Sequence, residues 1–197
     1  MNWKERISMM ALRRSKAVNR ERKGCGLSNA HSIGLLYLER DHAHYRVVKD
    51  LAKYLHDEVG VKKISMLSYV DNDKKHIPGW LVKKIDSGYF CKSDLNWYGK
   101  PIKEVESFID YEFDLLLDLE FDPVLPLKHV LMQSKAKMKV VAAQPQWGVV
   151  DYDFQVIRDE KFDNLVNDKD GEFRSSLDIW KNHMDMTFRI LSEMNIQ

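Results

Sequence analysis

The sequence predicts an α/β protein: a Rossmann-like three-layer fold with a mainly parallel sheet of five or six strands, a basic helix in front and a further helix behind. Two observations carry this. From Ile33 onward, short apolar runs alternate with longer segments whose apolar residues recur at helical spacing. The apolar runs are also nearly continuous, as in strands covered by helices on both faces.

The strand segments are "SIGLLYL" (32–38), "KKISMLSYV" (62–70), "GYFC" (88–91), "FDLLLDLEF" (113–121) and "KMKVVAA" (137–143), with "VDYDFQVI" (150–157) as a sixth. Between the first two, residues 43–59 place Val47, Val48, Leu51, Tyr54 and Leu55 on one helical face. "IPGWLVKKI" (77–85) reads as a short amphipathic helix. "PIKEVESFI" (101–109) opens on Pro101, where a helix start tolerates proline, and "PLKHVLMQS" (126–134) is the next helix. Residues 28–157 thus form the expected α/β domain. In the extension 158–197, Phe173, Leu177, Trp180, Met184, Phe188 and Leu191 form the apolar stripe of a last helix, which packs on that domain or serves as a homodimer seam.

Charge is unevenly spread. Residues 1–23 carry Lys4, Arg6, Arg13, Arg14, Lys16, Arg20, Arg22 and Lys23 against Glu5 and Glu21, a net +6, so the rest of the +1 chain is mildly anionic. Trp3, Ile7, Met10, Ala11 and Val18 recur at helical spacing, which makes residues 1–27 a basic amphipathic arm ending in the linker "KGCGLSN" (23–29). Its cations Arg6, Arg13, Arg14, Lys16, Arg20, Arg22 and Lys23 are expected to touch an anionic partner, first RNA or a ribonucleoprotein, then a membrane surface, or else the chain's own acidic body. No apolar run approaches the roughly 20 residues of a spanning helix, and the N-terminus lacks a secretory apolar segment, so a cytoplasmic location is expected. Cys25 and Cys91 in unlike contexts do not form a disulfide framework.

With right-handed crossovers the sheet order is 3-2-1-4-5, and ligands are expected at the carboxyl ends of the first and fourth strands. The loops there, "ERDHAH" (39–44) and "EFDPVLP" (120–126), contain no glycine, which argues against dinucleotides and P-loop chemistry; no cofactor is expected. Arg40, Asp41, His42, His44, Asp118, Glu120 and Asp122 gather there, but Asp41 reads as a helix N-cap and the two histidines diverge on a helix, so no metal site is expected. Asp118 closes the run Leu115–Leu117 and must find donors, from loop amides or from a ligand. The other dense polar stretch is "CKSDLNWYGKP" (91–101), with Ser93, Asp94, Asn96, Trp97 and Tyr98 as candidate ligand-binding residues beside Asp118. A structural account also covers it: Ser93 and Asp94 cap a turn, Gly99 and Pro101 lead into a helix, and Cys91 is a small buried hydrophobe. No G-x-S-x-G elbow or certified Cys–His pair points to nucleophilic catalysis.

Together "SIGLLYL", the helix after it, "CKSDLNWYGKP", "FDLLLDL" and "LPLKHVLMQSKAKMKVV" resemble an uncharacterised family of Bacteroidetes-type proteins over about residues 28–157, with "SDLNWYGKP" as its most specific part. More distantly, "FDLLLDL" and "AKMKVV" are similar to the N-terminal half of heptosyltransferase-type glycosyltransferases. That likeness implies the same sheet order and transfers no catalytic residue, because such enzymes hold the nucleotide sugar with a second Rossmann-like domain for which this chain has no room. The expectation is a non-enzymatic binding or adaptor protein; the alternative is a small nucleotide- or nucleotide-sugar-binding enzyme using the strand-end crevice.

Overall fold

The structure, a computed structural model, describes residues 3–122, 124–142, 151–156 and 176–194. Six strands, β1 (Ser32–Glu39), β2 (Lys63–Val70), β3 (Ser87–Cys91), β4 (Leu115–Asp118), β5 (Met138–Ala142) and β6 (Phe154–Val156), form one parallel sheet of order 3-2-1-4-5-6. The predicted order holds, and the sixth strand extends it beyond β5. Phe173 of the predicted stripe, and residues 143–150 and 157–175, lie outside the described residues.

Strand alternation sends successive side chains to opposite layers. Ile33, Leu35, Tyr37, Leu115 and Leu117 face α2 (His42–Asp57) and the final helix α5 (Ser176–Glu193), which contributes Trp180, Met184, Phe188 and Leu191. Leu36, Leu67, Leu116 and Val141 face α3 (Glu106–Asp110) and α4 (Leu125–Gln133). Gly34 lies on this second face, where a Cβ would come within 2.9–3.1 Å of Leu116, Phe113 and Phe108. The stripe on α5 is therefore core packing along the residues described.

Two helix expectations are corrected. Residues 77–85 do not form a helix; Pro78 starts a turn at 79–80, and Lys84 pairs with Ser87 across a tight reversal into β3. The segment from 101 is helical only over α3, because Pro101 instead bridges Leu95 and Val105 is the residue before the first helical turn.

The arm is helical over α1 (Trp3–Arg14) and then continues without regular structure to a 3-10 turn at Leu27–Asn29. α1 buries Ser8, Met9 and Leu12 against α4, whose residues Leu127 to Met132 are all buried. α4 is enclosed because the sheet covers one side and α1 the other, which is why it lacks a polar face. Burying Met9 and Leu12 contributes about 1.5–3 kcal/mol each.

The segment after α1 is held by charge. Lys139, the second residue of β5, is wholly buried and its ammonium pairs with buried Asp151 at 2.6 Å. Asp151 also takes Arg20 at 3.0 Å and Arg22 at 2.6 Å, while the Arg20 guanidinium donates to the carbonyls of Ala136 and Lys137 and to Asp153. Burial pushes the Lys139 ammonium down to about 8 even though Asp151 opposes the shift. The Asp151 carboxyl lies below its ordinary value: burial would raise it, but Arg20 and Lys139 outweigh that. Removing Asp151 leaves the buried Lys139 ammonium without its carboxylate, whereas removing Arg20 leaves Asp151 with Lys139 and Arg22. Asp151→Asn should therefore lower stability by about 3–5 kcal/mol and Arg20→Met by less, each measured as an earlier urea midpoint with an unchanged slope.

Candidate functional site

The carboxyl ends of β1 and β4 flank the switch point of the sheet, and the loops leaving them are tied together. Arg40 meets Glu120 in a bidentate pair, Nη1–Oε1 3.0 Å and Nη2–Oε2 2.6 Å, and Leu38 N donates to Glu120 Oε1 at 2.8 Å. Trp180 on α5 donates to the Leu119 carbonyl at 2.9 Å and clamps the second loop from the other side. Asp118 finds a loop amide, that of Glu120 at 3.1 Å, and a donor the sequence did not suggest, the ammonium of Lys128, which is itself buried on α4. Two of the expected site carboxylates are thus consumed by the scaffold.

Asp41 caps α2 as expected, accepting from His44 N at 2.9 Å and lying 3.0 Å from His44 Nδ1. The His44 ring is buried against Trp180, whereas His42 turns to Trp80 with ring centroids 5.3 Å apart. The two histidines diverge, and among the described residues no group of three or more His, Cys, Asp or Glu could hold a metal ion.

In the 91–101 stretch, Asp94 is buried and accepts from Cys91 N at 3.0 Å and from the Cys91 thiol at 3.1 Å, while Lys74 pairs with its other oxygen at 3.0 Å. Burial would raise this carboxyl, but Lys74 and Cys91 outweigh it and hold it below its ordinary value. The Cys91 thiol is pushed up, first by burial and then by its bond to Asp94, so it is a poor nucleophile. Ser93 Oγ accepts weakly from Lys74 N at 3.4 Å. Asn96 closes a tight reversal, its Oδ1 accepting from Tyr98 N at 3.2 Å and Lys100 N at 2.9 Å, with Gly99 at φ +94° where only glycine is unstrained. Five of the six candidate residues sit in this reversal, and Asp118 takes its contacts from other partners.

The reversal presents its aromatic residues to α1. Trp97 stacks on Trp3, centroids 6.4 Å apart, and packs edge-on to Tyr98, which in turn meets the His129 ring at 6.0 Å. Ser8 Oγ and His129 Nε2 are hydrogen-bonded at 2.9 Å, and burial pushes the imidazole down to about 4, so it is neutral at pH 7. Trp3 and Trp97 remain 61% and 62% exposed. Lys4, Arg6, Arg13, Arg14 and Lys16 are exposed as well, and none has an ion-pair partner among the described residues. Of the expected partner-binding cations, Arg20 and Arg22 are instead committed to Asp151 and Asp153, and Lys23 donates its amide to the Lys137 carbonyl.

Glu39, the last residue of β1, was missed by the sequence reading. It is 6% exposed; Oε1 accepts from Trp80 Nε1 at 3.3 Å, and Oε2 is buried without a hydrogen-bond partner among the described residues. Burial, with a smaller contribution from Asp41, pushes the carboxyl up to about 7 against the bond from Trp80. The signal was the one that flagged Asp118: a carboxylate closing an apolar strand.

An all-parallel, doubly wound α/β sheet with helices on both faces defines the class of this protein. The chain belongs to a family of unknown function, DUF6913, whose sequence profile matches residues 4–167. Neither a curated protein nor a solved structure matches it.

Because Glu39 holds its proton more tightly folded than unfolded, its stabilising contribution is complete below pH 4.5 and lost as pH rises through about 7. Urea midpoints measured across that window should fall less steeply with pH in Glu39→Gln than in the wild type. Gly99→Ala should destabilise by about 1 kcal/mol or more, since an L side chain is forced to positive φ, and should shift the fluorescence of the Trp3–Trp97 pair.

Proposed function

We propose that the protein is a non-enzymatic cytoplasmic binding protein that holds single-stranded RNA, free or in a ribonucleoprotein, on the exposed face of α1 and the neighbouring Trp97 reversal. The observation that carries this reading is the pairing of five cations lacking carboxylate partners among the described residues, Lys4, Arg6, Arg13, Arg14 and Lys16, with a solvent-exposed Trp3–Trp97 stack. Phosphates are drawn to unpaired cations, and indole faces stack with bases of any identity. α1 suits the task because its other side is anchored on α4, so binding need not order a free helix. The alternative, a nucleotide- or nucleotide-sugar-binding enzyme at the strand ends in the manner of heptosyltransferase-type proteins, has less support because the Arg40–Glu120 bridge crosses that crevice.

Retention of a labelled single-stranded RNA by the full chain at two salt concentrations tests the proposal. Five phosphate contacts would give a log–log salt slope of about −3.5, at about −0.7 per contact. Trp97→Ala should weaken binding roughly tenfold, within the range of about 1–3 kcal/mol for one stacked base. Arg13→Glu with Arg14→Glu should weaken it further and flatten the slope. No retention, a salt-independent affinity, or binding to anionic vesicles in preference to RNA would overturn the reading.

A further inference from the structure

Glu39 projects from β1 toward the α2 layer, as Tyr37 does two residues earlier. Ser68, the completely buried neighbour of Tyr37 on β2, engages the Tyr37 hydroxyl, whereas Glu39 Oε2 has no hydrogen-bond partner among the described residues. A carboxylate oxygen is thus buried and unsatisfied at the carboxyl end of a parallel sheet, which is unfavourable unless something pairs with it. Changing the protonation state of Glu39 does not solve this, because a carboxylate lacks a donor there and a protonated carboxyl lacks an acceptor.

Three aromatic rings bound the same place. Trp80 holds Glu39 Oε1 through its indole nitrogen, the His42 ring lies edge-on to Trp80 at 5.3 Å, and Tyr45 stacks on His42 at 6.4 Å. Trp80 is 40% exposed and belongs to the non-helical stretch before β3, where the turn bond from Leu81 N to the Pro78 carbonyl is short-range, so moving the ring breaks no helix or sheet ladder. The local charge is negative: Asp41 adds to Glu39, while the neighbouring Arg40 is drawn away to Glu120.

From this cluster we infer a binding site for a small organic ammonium group, which donates a hydrogen bond to Glu39 Oε2 and packs its charge against Trp80. An ammonium matches what is missing, since it supplies several donors and a positive charge beside aromatic faces that attract cations. A neutral alcohol would supply a donor without offsetting the two carboxylates, and an anion would be repelled. The site is separate from the surface of α1, so it stands or falls without the RNA reading.

The test uses the intact protein with butylammonium chloride as probe, and butanol and sodium chloride as controls, at mildly alkaline pH. Butylammonium should raise the melting temperature and change tryptophan emission, and neither control should do so. Glu39→Gln should abolish both responses, Trp80→Phe should remove the emission change, and the Arg13→Glu, Arg14→Glu variant should retain both. No ammonium-specific response in the wild type, or an equal one in Glu39→Gln, overturns the inference. Should Glu39→Gln fail to fold, Trp80→Ala takes its place and should weaken the melting-temperature response at least severalfold; an undiminished response there would equally overturn it.

Discussion

A lysine buried within an inner strand of the sheet dictates much of this architecture. Lys139 cannot keep its charge inside the sheet without a carboxylate, and Asp151 supplies one. A lone buried pair would leave lone pairs of that carboxylate unfilled, and Arg20 fills them from the segment that follows α1. The same guanidinium caps the carbonyls at the start of β5, so the chain between α1 and β1 has its course set by one hub of charge.

Fixing that segment fixes what lies before it. α1 is brought over α4 and closes the outer side of a helix that is buried all round. The contact is made by Met9, Leu12 and the Ser8–His129 bond, where burial keeps the imidazole neutral at pH 7. The consequence for function is selective: the cations nearest the hub are neutralised, and those on α1 face outward beside Trp3 and Trp97. The basic arm is therefore neither wholly free nor wholly absorbed by the acidic body.

The carboxylates at the strand ends show how position within a few ångströms changes a group's role. Asp118 is satisfied by Lys128 and a loop amide, and Glu120 by Arg40 and Leu38 N. Among the described residues, Glu39 has one donor for two oxygens and no cation, so its charge is the costly one. The first two bind the loops to the sheet, and the third is left with unused bonding capacity where sheets of this class place their ligands.

Strand count, order and the two covering layers were legible in the sequence because they follow from apolar runs and their spacing, which are local properties. The 91–101 stretch was legible in part for a similar reason: Asp94 caps a turn through its own neighbours and Gly99 takes a positive φ, but that Asn96 closes the reversal and that Pro101 bridges Leu95 instead of opening a helix was not. The absence of a helix at 77–85 was not legible either, since its apolar residues recur at helical spacing, while the chain takes a turn after Pro78 and a tight Lys84–Ser87 reversal into β3. Nor was Glu39, although it obeys the rule that singled out Asp118. Sequence by itself determined which residues must be buried and which charges therefore needed partners; tertiary structure decided which partners they found. Pairing acts through space between residues such as Arg20 and Asp151, more than a hundred positions apart, and no local pattern encodes it.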